Sequence, residues 1–152
     1  MRRARGQAGS AVVELALVTP LIILLLLGAM DFGRVFYKAM AVSQAVGAGA
    51  RYGARSVAKS GDTAGMQSAA TTAAASDITG GESFVVDSAA RSCRCYTGTE
   101  PGTAMGLCSS SCGGTVRAYV SVTGHATFST IVNYPGIPHT LALSRTATLR
   151  VQ

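Results

Sequence analysis

The stretch GSAVVELALVTPLIILLLLGAM (Gly9 to Met30) is strongly apolar, and a single carboxylate, that of Glu14, interrupts it. The sixteen residues from Leu15 to Met30 carry no charge, and with residues 10–13 the run approaches the roughly 20 residues that span a bilayer. A charge near hydrocarbon is costly, so we expect Glu14 to lie at the membrane edge or to have a function there. The run therefore predicts a transmembrane helix over residues 10–30.

The rest of the chain is less apolar, and the composition fits one small globular domain joined to an anchor. The sequence has 152 residues, of which 48% are hydrophobic and only 13% are charged. That length accommodates one modest domain and an anchoring segment, but not two full domains. The net charge of +6 does not indicate nucleic-acid binding, because the basic residues beyond the N-terminus are scattered and Trp is absent. We expect no nucleic-acid partner.

The charges on either side of the apolar run predict its orientation. Residues 1–9 (MRRARGQAG) contain three arginines and resemble the positive head of an export signal. Asp31, Arg34 and Lys38 follow the run and together carry a net charge near +1. The positive-inside bias therefore favours a cytoplasmic N-terminus and an exported C-terminal part.

Beyond the run, the helical pattern continues in amphipathic form over residues 31–60. Apolar or small side chains recur there at spacings of three and four: Phe32, Val35, Phe36, Ala39, Val42, Ala45, Val46 and Gly49. A helix unbroken from about Ser10 to about Val57 would be roughly 70 Å long, more than twice a bilayer core, so its second half must project and pack on something. The glycines of GAGARYGAR (residues 47–55) leave two interpretations open: the helix frays here, or another backbone approaches closely.

Residues 61–152 predict a small α+β head. Asp62 is a candidate helix cap, and the Ala/Thr/Ser-rich stretch 64–76 predicts a short helix. From Ser83 onward the pattern alternates with a period of two in SFVVDS, VRAYVSVTGHATF and LALSRTATLRV, which predicts strands. We expect a small antiparallel sheet with the preceding helices on one face. The fold class is thus α+β: a long N-terminal transmembrane and amphipathic α-helix followed by a small α+β head.

Four cysteines lie in a predicted loop at residues 93–112, as Cys93 and Cys95 and then Cys108 and Cys112. Four thiolates at close spacing could hold zinc, but C-x-C with C-x-x-x-C is not the usual double C-x-x-C knuckle. In an oxidising compartment an even number of cysteines favours disulfides. Because Cys93 and Cys95 are too close to pair with each other, two connectivities remain: 93–112 with 95–108, or 93–108 with 95–112. We predict two disulfides and no metal site.

The sequence contains no pattern that predicts catalysis or a cofactor. His125 and His139 lie in strand-like and turn-like contexts without a nucleophile motif, and the acidic residues are dispersed singles. The Gly-rich segment GAGARYG follows a helix and not a strand, so it does not match a phosphate-binding loop. We expect a non-enzymatic protein with no catalytic residues and no cofactor.

The N-terminal arrangement resembles the class III signal of type IV prepilins, in which a membrane aspartic protease cuts after a Gly and leaves a Glu at the fifth mature position. Here the cut would fall between Gly9 and Ser10 and would make Glu14 the fifth residue. More narrowly, AVVELALVTPLIILLLLGAMDFGRVFYKAMAVSQAVGAGARYGAR (Ala11 to Arg55) resembles the TadE/TadG-like family of pseudopilins from tight-adherence (Flp) pilus systems. The features that carry this resemblance are Glu14, Pro20, Asp31-Phe32-Gly33, Phe36 with Tyr37, GARYGAR, and the terminal TATLRV (Thr146 to Val151).

The resemblance implies a non-enzymatic minor pseudopilin or pilus-assembly protein of a tight-adherence (Flp, type IVb) system. It implies a single pass through the bacterial inner membrane, contact with membrane lipid, processing by a prepilin peptidase at Gly9 and Ser10, and a periplasmic or extracellular head. That head would contact other pilins, pseudopilins and pilus-assembly proteins. Glu14 then has two interpretations: it neutralises the new Ser10 amine of a neighbouring subunit, or it simply lies near the first helical turn, where the dipole favours an acid.

Two other functions compete with this one. The apolar run could be the cleavable signal of a secreted, disulfide-containing protein, with Ala39-Met40-Ala41 as the cleavage box, although the charges between the run and that box argue against it. The chain could also be a signal-anchored membrane protein with a cysteine zinc site. The first residue of the mature chain separates most of these possibilities: Ser10 for the pseudopilin, Val42 for the secreted protein, and Met1 for an unprocessed anchored protein.

Overall fold

The computed structural model describes residues 8–75, 78, 83–98, 102–105, 108, 111–131, 136 and 138–152. Over these residues the chain forms α1 (Ala8–Ala54), α2 (Val57–Ser60), α3 (Thr63–Ala75), β1 (Phe84–Tyr96), β2 (Thr103–Met105), β3 (Thr115–Ser129) and β4 (Thr140–Arg150). The predicted α+β class is confirmed, with one long N-terminal helix followed by a small antiparallel sheet. Of the predicted basic leader, residues 1–9, all but Ala8 and Gly9 lie outside the described residues.

Helix α1 is a single element of 47 residues that continues through Pro20. At 1.5 Å per residue it is about 70 Å long, as the sequence pattern predicts. It ends at Ala54, three residues earlier than expected, where the backbone N–H of Gln152 donates to the Ala54 carbonyl at 3.1 Å. The last residue of the chain thereby satisfies one of the carbonyls that a helix end leaves without an intrahelical partner.

The four strands form one antiparallel sheet in the order β2-β1-β3-β4. In the central strand β3, even-numbered residues are buried from Val120 to Phe128 and odd-numbered ones are more exposed, so one face of the sheet is covered. Helices α1 and α3 cover that face, as predicted. The packing on one face follows from the period-two alternation of the strand sequence.

Two details of the head differ from the sequence prediction. Strand β2 is an additional short element inside the stretch that the sequence predicts to be a loop. Strand β1 runs on to Tyr96, so Cys93 and Cys95 lie on a strand instead of in the loop 93–112. The backbone around these cysteines is paired on both sides, because Cys93 lies opposite Ala118 of β3 and opposite Met105 of β2.

The core lies between the second half of α1, helix α3 and the covered face of the sheet. Its two clusters of buried residues are Val46, Ala50, Met66, Ala70, Val120, Val122 and Val151, and Ala41, Val42, Ala45, Ala74, Ile78 and Ala126. Small residues dominate on both helices, which lets their backbones approach each other. The amphipathic second half of α1 is therefore the element on which the head is built.

Two of the three glycines of residues 47–55, Gly49 and Gly53, serve helix packing, and the alternative that the helix frays here is wrong. Gly49 and Gly53 are buried within α1 against α3. A Cβ on Gly49 would lie 2.6 Å from the carbonyl oxygen of Met66, and a Cβ on Gly53 would overlap the Met66 sulfur. Glycine is required at this helix crossing because no side chain fits between the two backbones.

The apolar stripe predicted for residues 32–49 of α1 is correct from Val42 onward and wrong at Phe32 and Phe36. Val42, Ala45, Val46 and Gly49 are buried as expected, whereas Phe32 and Phe36 are exposed. Over residues 31–40 of α1, the buried residues are Asp31 and Lys38. Burial of a carboxylate here depends on hydrogen-bond donors from the head, which a hydrophobicity pattern does not reveal.

Candidate membrane anchor and its junction with the head

The first half of α1 projects from the head as an apolar rod. An 18-residue window of this helix has a mean hydropathy of 2.5, and none of that window is buried. Leu, Ile and Val side chains from Val12 to Leu26 are mostly exposed. By length and composition the helix can cross a membrane, and a soluble protein would hardly leave so much apolar surface uncovered. These features fit a membrane-anchored protein.

The predicted processing and recognition residues lie together on the first turns of α1. The Ser10 hydroxyl donates to Glu14 Oε1 at 3.3 Å, one helical turn away, and both residues are exposed. A Cβ added to Gly9 would meet no atom of the described residues within 4 Å. The Glu14 carboxylate is thus on the same side of the helix as Ser10, at the end of the apolar rod.

The other end of the rod is joined to the head by a buried carboxylate. Asp31, only 5% exposed, accepts the backbone N–H of Ile131 at 3.1 Å through Oδ1 and at 3.2 Å through Oδ2. Arg34, one turn further on, donates to Asp31 Oδ1 at 3.2 Å, and its guanidinium lies 5.2 Å from the centre of the Phe128 ring. We call Asp31, Arg34, Phe128 and Ile131 the junction. It fixes the end of β3 to the helix directly after the apolar run.

The sequence pattern did not predict this junction: in that pattern Asp31 and Arg34 are charges that set the membrane orientation, and Asp31 is also part of the Asp31-Phe32-Gly33 feature. A signal was nevertheless present: an acid and an arginine at i, i+3 on the first turn after an apolar run can form an intrahelical pair. The second partner, the Ile131 backbone, is 100 residues away in the sequence. No local pattern identifies a backbone donor at that distance.

A second polar link joins α1 to α3 at the far end of the head. The Tyr52 hydroxyl donates to Asp62 Oδ2 at 2.7 Å, and Asp62 Oδ1 accepts the Gly65 N–H at 2.8 Å. Asp62 is thus the N-cap of α3, as the sequence predicts. The Gly65 N–H and the Tyr52 hydroxyl hold the pKa of Asp62 below its usual value. Donation to that carboxylate raises the pKa of Tyr52.

The two predicted disulfides are present, and the structure selects one connectivity. Cys93 pairs with Cys108 and Cys95 with Cys112, with Cα–Cα distances of 5.2 and 6.0 Å. Since all four cysteines are bridged, none offers a thiolate to zinc. Nor does the described part of the chain contain a group of three or more His, Cys, Asp or Glu side chains that could hold a metal ion. The bridges lie at the end of the head opposite the junction, beside the start of β3.

Polar side chains occupy the sheet face that points away from the helices. A register shift at Asp87 in β1 brings its carboxylate within 2.7 Å of His125 Nδ1 on β3. Near the disulfides, the hydroxyls of Tyr96 and Tyr119 are 2.7 Å apart. Each side chain of the Asp87–His125 pair is a third or more exposed, on an open sheet surface. This geometry is that of a hydrogen-bonded surface pair.

The comparison with protein families matches the segment that contains the candidate anchor. The family model of TadE-like proteins matches residues 9–51, which confirms the resemblance inferred from the sequence. The match begins at Gly9, includes Glu14 and the junction residues Asp31 and Arg34, and ends just before Tyr52. No curated protein and no solved structure matches the chain. The similarity therefore concerns α1, and the sheet lies outside it.

Proposed function

We propose that this protein is a non-enzymatic minor pseudopilin or assembly component of a tight-adherence (Flp, type IVb) pilus. Residues 10–30 would hold it in the bacterial inner membrane with the N-terminus cytoplasmic. Residues 31–60 would project from the bilayer, and the head, residues 61–152, would contact other pilus components outside the cytoplasm. The observation that carries the proposal is that the TadE-like match, residues 9–51, coincides with the exposed apolar rod and its packed continuation.

The two disulfides support an exported head. Disulfides persist in oxidising compartments such as the periplasm and are rare in the cytosol. The bridges Cys93–Cys108 and Cys95–Cys112 both lie in the head, and in sequence the apolar run separates them from the basic residues 1–9. The orientation suggested by the positive-inside bias and that suggested by the disulfides therefore agree.

The geometry of the first turn supports cleavage between Gly9 and Ser10 by a prepilin peptidase. The site lies at an exposed helix start, and none of the described residues packs on Gly9. After cleavage, the new Ser10 amine would lie one turn from Glu14 of its own chain and within reach of Glu14 of an adjacent subunit. The carboxylate would offset a cation at a helix N-terminus, where the dipole disfavours it. In the assembled state that pairing would fix the register between neighbouring helices.

The alternative of a cleavable signal conflicts with the packing of α1. A cut after Ala41 would fall inside a continuous helix and would remove Asp31 and Lys38, both buried against the head. Removal of Asp31 would leave the Ile131 N–H without its carboxylate partner. A zinc site formed by the cysteines is disfavoured because those thiols are oxidised to disulfides.

N-terminal mass spectrometry on the full chain, expressed with a prepilin peptidase and extracted from membranes, tests this function. We expect a mature chain that starts at Ser10, and we expect Gly9→Leu to block processing. Gly28→Leu is the matched control, because Gly28 is also a helical glycine with open space around it, and its processing should be normal. A start at Val42 would establish the secreted protein instead, and an intact Met1 would establish an unprocessed anchor.

The proposed role of Glu14 needs a separate variant. Glu14→Gln keeps the size of the side chain and removes its charge, so processing at Gly9 should continue while co-purification with other pilus components falls. Equal recovery of those components with wild type and Glu14→Gln would contradict the assembly role and leave the helix-dipole interpretation.

A further inference from the structure

The end of the head that carries the junction lies at the level of the membrane surface. This inference rests on the anchoring part of the proposed function. The apolar run ends at Met30, and about 20 residues suffice to cross the roughly 30 Å hydrocarbon core, which places Asp31 at the headgroup boundary. Because Asp31 accepts the Ile131 N–H at 3.1 and 3.2 Å, the end of β3 lies at the same depth.

Four large apolar side chains are exposed near this level. Ile131 is 51% exposed and Leu141, at the start of β4 opposite Phe128, is 49% exposed. On α1, Phe32 and Phe36 are 65% and 56% exposed and pack edge to face with ring centroids 4.7 Å apart. We call these four residues the apolar collar. Their side chains come from both the helix and the sheet, so the collar belongs to the head as well as to the anchor.

The height of the collar matches the thickness of the headgroup layer. Phe36 lies five residues beyond Asp31, or about 7.5 Å at 1.5 Å per residue. The polar layer on each side of the hydrocarbon core is about 5–8 Å thick. Aromatic side chains concentrate in this layer, because it accommodates both their apolar rings and nearby polar groups.

The charges at the junction are compatible with burial in a headgroup layer. The Asp31 carboxylate is compensated by Arg34 and by the Ile131 N–H, so it does not enter the interface as an unpaired anion. Arg34 is 37% exposed at its side chain and can interact with lipid phosphates. In sequence, residues 130–139 between β3 and β4 contain no Asp, Glu, Lys or Arg. The described residues at this end of the head offer exposed apolar side chains and the positive charge of Arg34.

We propose that the apolar collar inserts into the headgroup layer of the same bilayer that holds the anchor, as a second membrane contact. The partner of this surface is the phospholipid interface. With two contacts the head cannot swing freely about the membrane end of α1. Its disulfide-bridged end is then held about 35 Å from the edge of the hydrocarbon core, the distance along α1 from Asp31 to Ala54.

Single-tryptophan fluorescence tests this inference directly, because the chain contains no Trp. Three variants of the full chain are reconstituted into vesicles of phosphatidylcholine and phosphatidylglycerol that carry brominated acyl chains. Ile131→Trp reports on the collar, Leu21→Trp on the apolar run, and Val57→Trp on an exposed site beyond the far end of α1. We expect Leu21→Trp to be quenched most by bromine near the bilayer centre. Ile131→Trp should be quenched most by bromine near the headgroups, several-fold more than Val57→Trp.

The outcomes separate failure of this inference from failure of the anchor. If Leu21→Trp is quenched while Ile131→Trp is quenched no more than Val57→Trp, the collar is not in the membrane although the anchor is. If Leu21→Trp is not quenched, the anchoring part of the proposed function fails as well. If Ile131→Trp is shielded from both brominated lipid and aqueous iodide, a protein surface covers the collar and the inference is overturned.

A second variant tests whether the junction holds the collar at this depth. Asp31→Asn in the Ile131→Trp background weakens the two contacts to the Ile131 N–H, and we expect a clear loss of quenching by shallow bromine. Asp87→Asn, on the sheet face away from the helices, is the control and should leave the quenching unchanged. An equal loss in both variants would indicate general unfolding and would remove the support for the junction.

Discussion

Asp31 and Ile131 are 100 residues apart in sequence, yet both carboxylate oxygens of Asp31 accept the backbone N–H of Ile131. This contact joins the first charged residue after the apolar run to the backbone just beyond the end of β3. It makes the helix and the head one structural unit directly after the apolar run. The carboxylate is buried, so its loss would leave a polar group without a partner.

Asp31→Ala should therefore destabilise the junction. Loss of hydrogen bonds to a charged, buried group costs about 1.5–3 kcal/mol in the free energy of unfolding. Arg34→Ala removes a partly exposed ion pair, worth about 0.2–1 kcal/mol, and the contact of its guanidinium with the Phe128 ring, worth about 0.5–1 kcal/mol at an exposed site. Urea unfolding in detergent micelles gives both values, and hydrogen exchange of the Ile131 amide localises the effect. Similar decreases in the free energy of unfolding for Asp31→Ala and Arg34→Ala would show that the hydrogen bonds from the Ile131 backbone add no stability.

The helix crossing at Gly49 predicts opposite effects for two glycines of the same helix. Gly49→Ala would place a Cβ 2.6 Å from the Met66 carbonyl oxygen, and such overpacking costs about 1–3 kcal/mol. Gly47→Ala meets only the flexible end of Arg51 at 3.4 Å, so the better helix propensity of Ala should stabilise the protein by up to about 1 kcal/mol. Thermal unfolding of both variants measures the sign. Stabilisation by Gly49→Ala would contradict the close approach of α1 and α3.

The Tyr52–Asp62 link predicts a stability contribution confined to intermediate pH. The pKa of Asp62 is lowered in the folded state, so its contribution is present above the unfolded value of about 3.9 and is lost as the pH falls through the lowered pKa. The pKa of Tyr52 is raised, so its contribution is present below about 10 and is lost as the pH rises through the raised pKa.

Spectrophotometric titration of the tyrosines in the wild type and in Tyr52→Phe tests whether the pKa of Tyr52 is raised, which sets the upper pH limit of this stability contribution. The late-titrating phenol should be missing in the variant. In Asp62→Asn, Tyr52 should titrate at lower pH because its hydrogen bond to a carboxylate is gone. An unchanged Tyr52 titration in Asp62→Asn would show that the 2.7 Å contact is absent in solution.

The disulfide connectivity predicts different behaviour for two pairs of serine substitutions. Cys93→Ser with Cys108→Ser removes one native bridge, which closes a loop of about 15 residues and is worth about 3 kcal/mol, and leaves the other intact. Cys93→Ser with Cys112→Ser breaks both native bridges and separates the remaining partners. Thermal unfolding should therefore show a lower midpoint for the second pair, and alkylation should detect free thiols only there. A lower midpoint for Cys93→Ser with Cys108→Ser, with free thiols only in that variant, would indicate the 93–112 and 95–108 connectivity.

Much of this architecture could be predicted from local patterns. The apolar run, the continuous helix, the α+β class, the Asp62 cap and the presence of two disulfides all depend on residues that are neighbours in sequence or share a short period. A helix or strand repeat reveals which side chains share a face, and a cap is recognised within one turn. The TadE-like match has the same origin, because residues 9–51 all lie within one helix.

The partners across the fold could be decided only by tertiary structure. The sequence pattern placed Phe32 and Phe36 on the packed face of α1, but the head turns Asp31 and Lys38 inward and leaves the two rings exposed. From the sequence alone, Cys93 and Cys95 could each form a disulfide with either downstream cysteine. The pairing of strand β1 with its neighbours fixes the positions of both residues and therefore their disulfide partners. Hydrophobic periodicity determines which face of an element can be buried, whereas a buried carboxylate or a disulfide depends on a partner brought close by the rest of the chain.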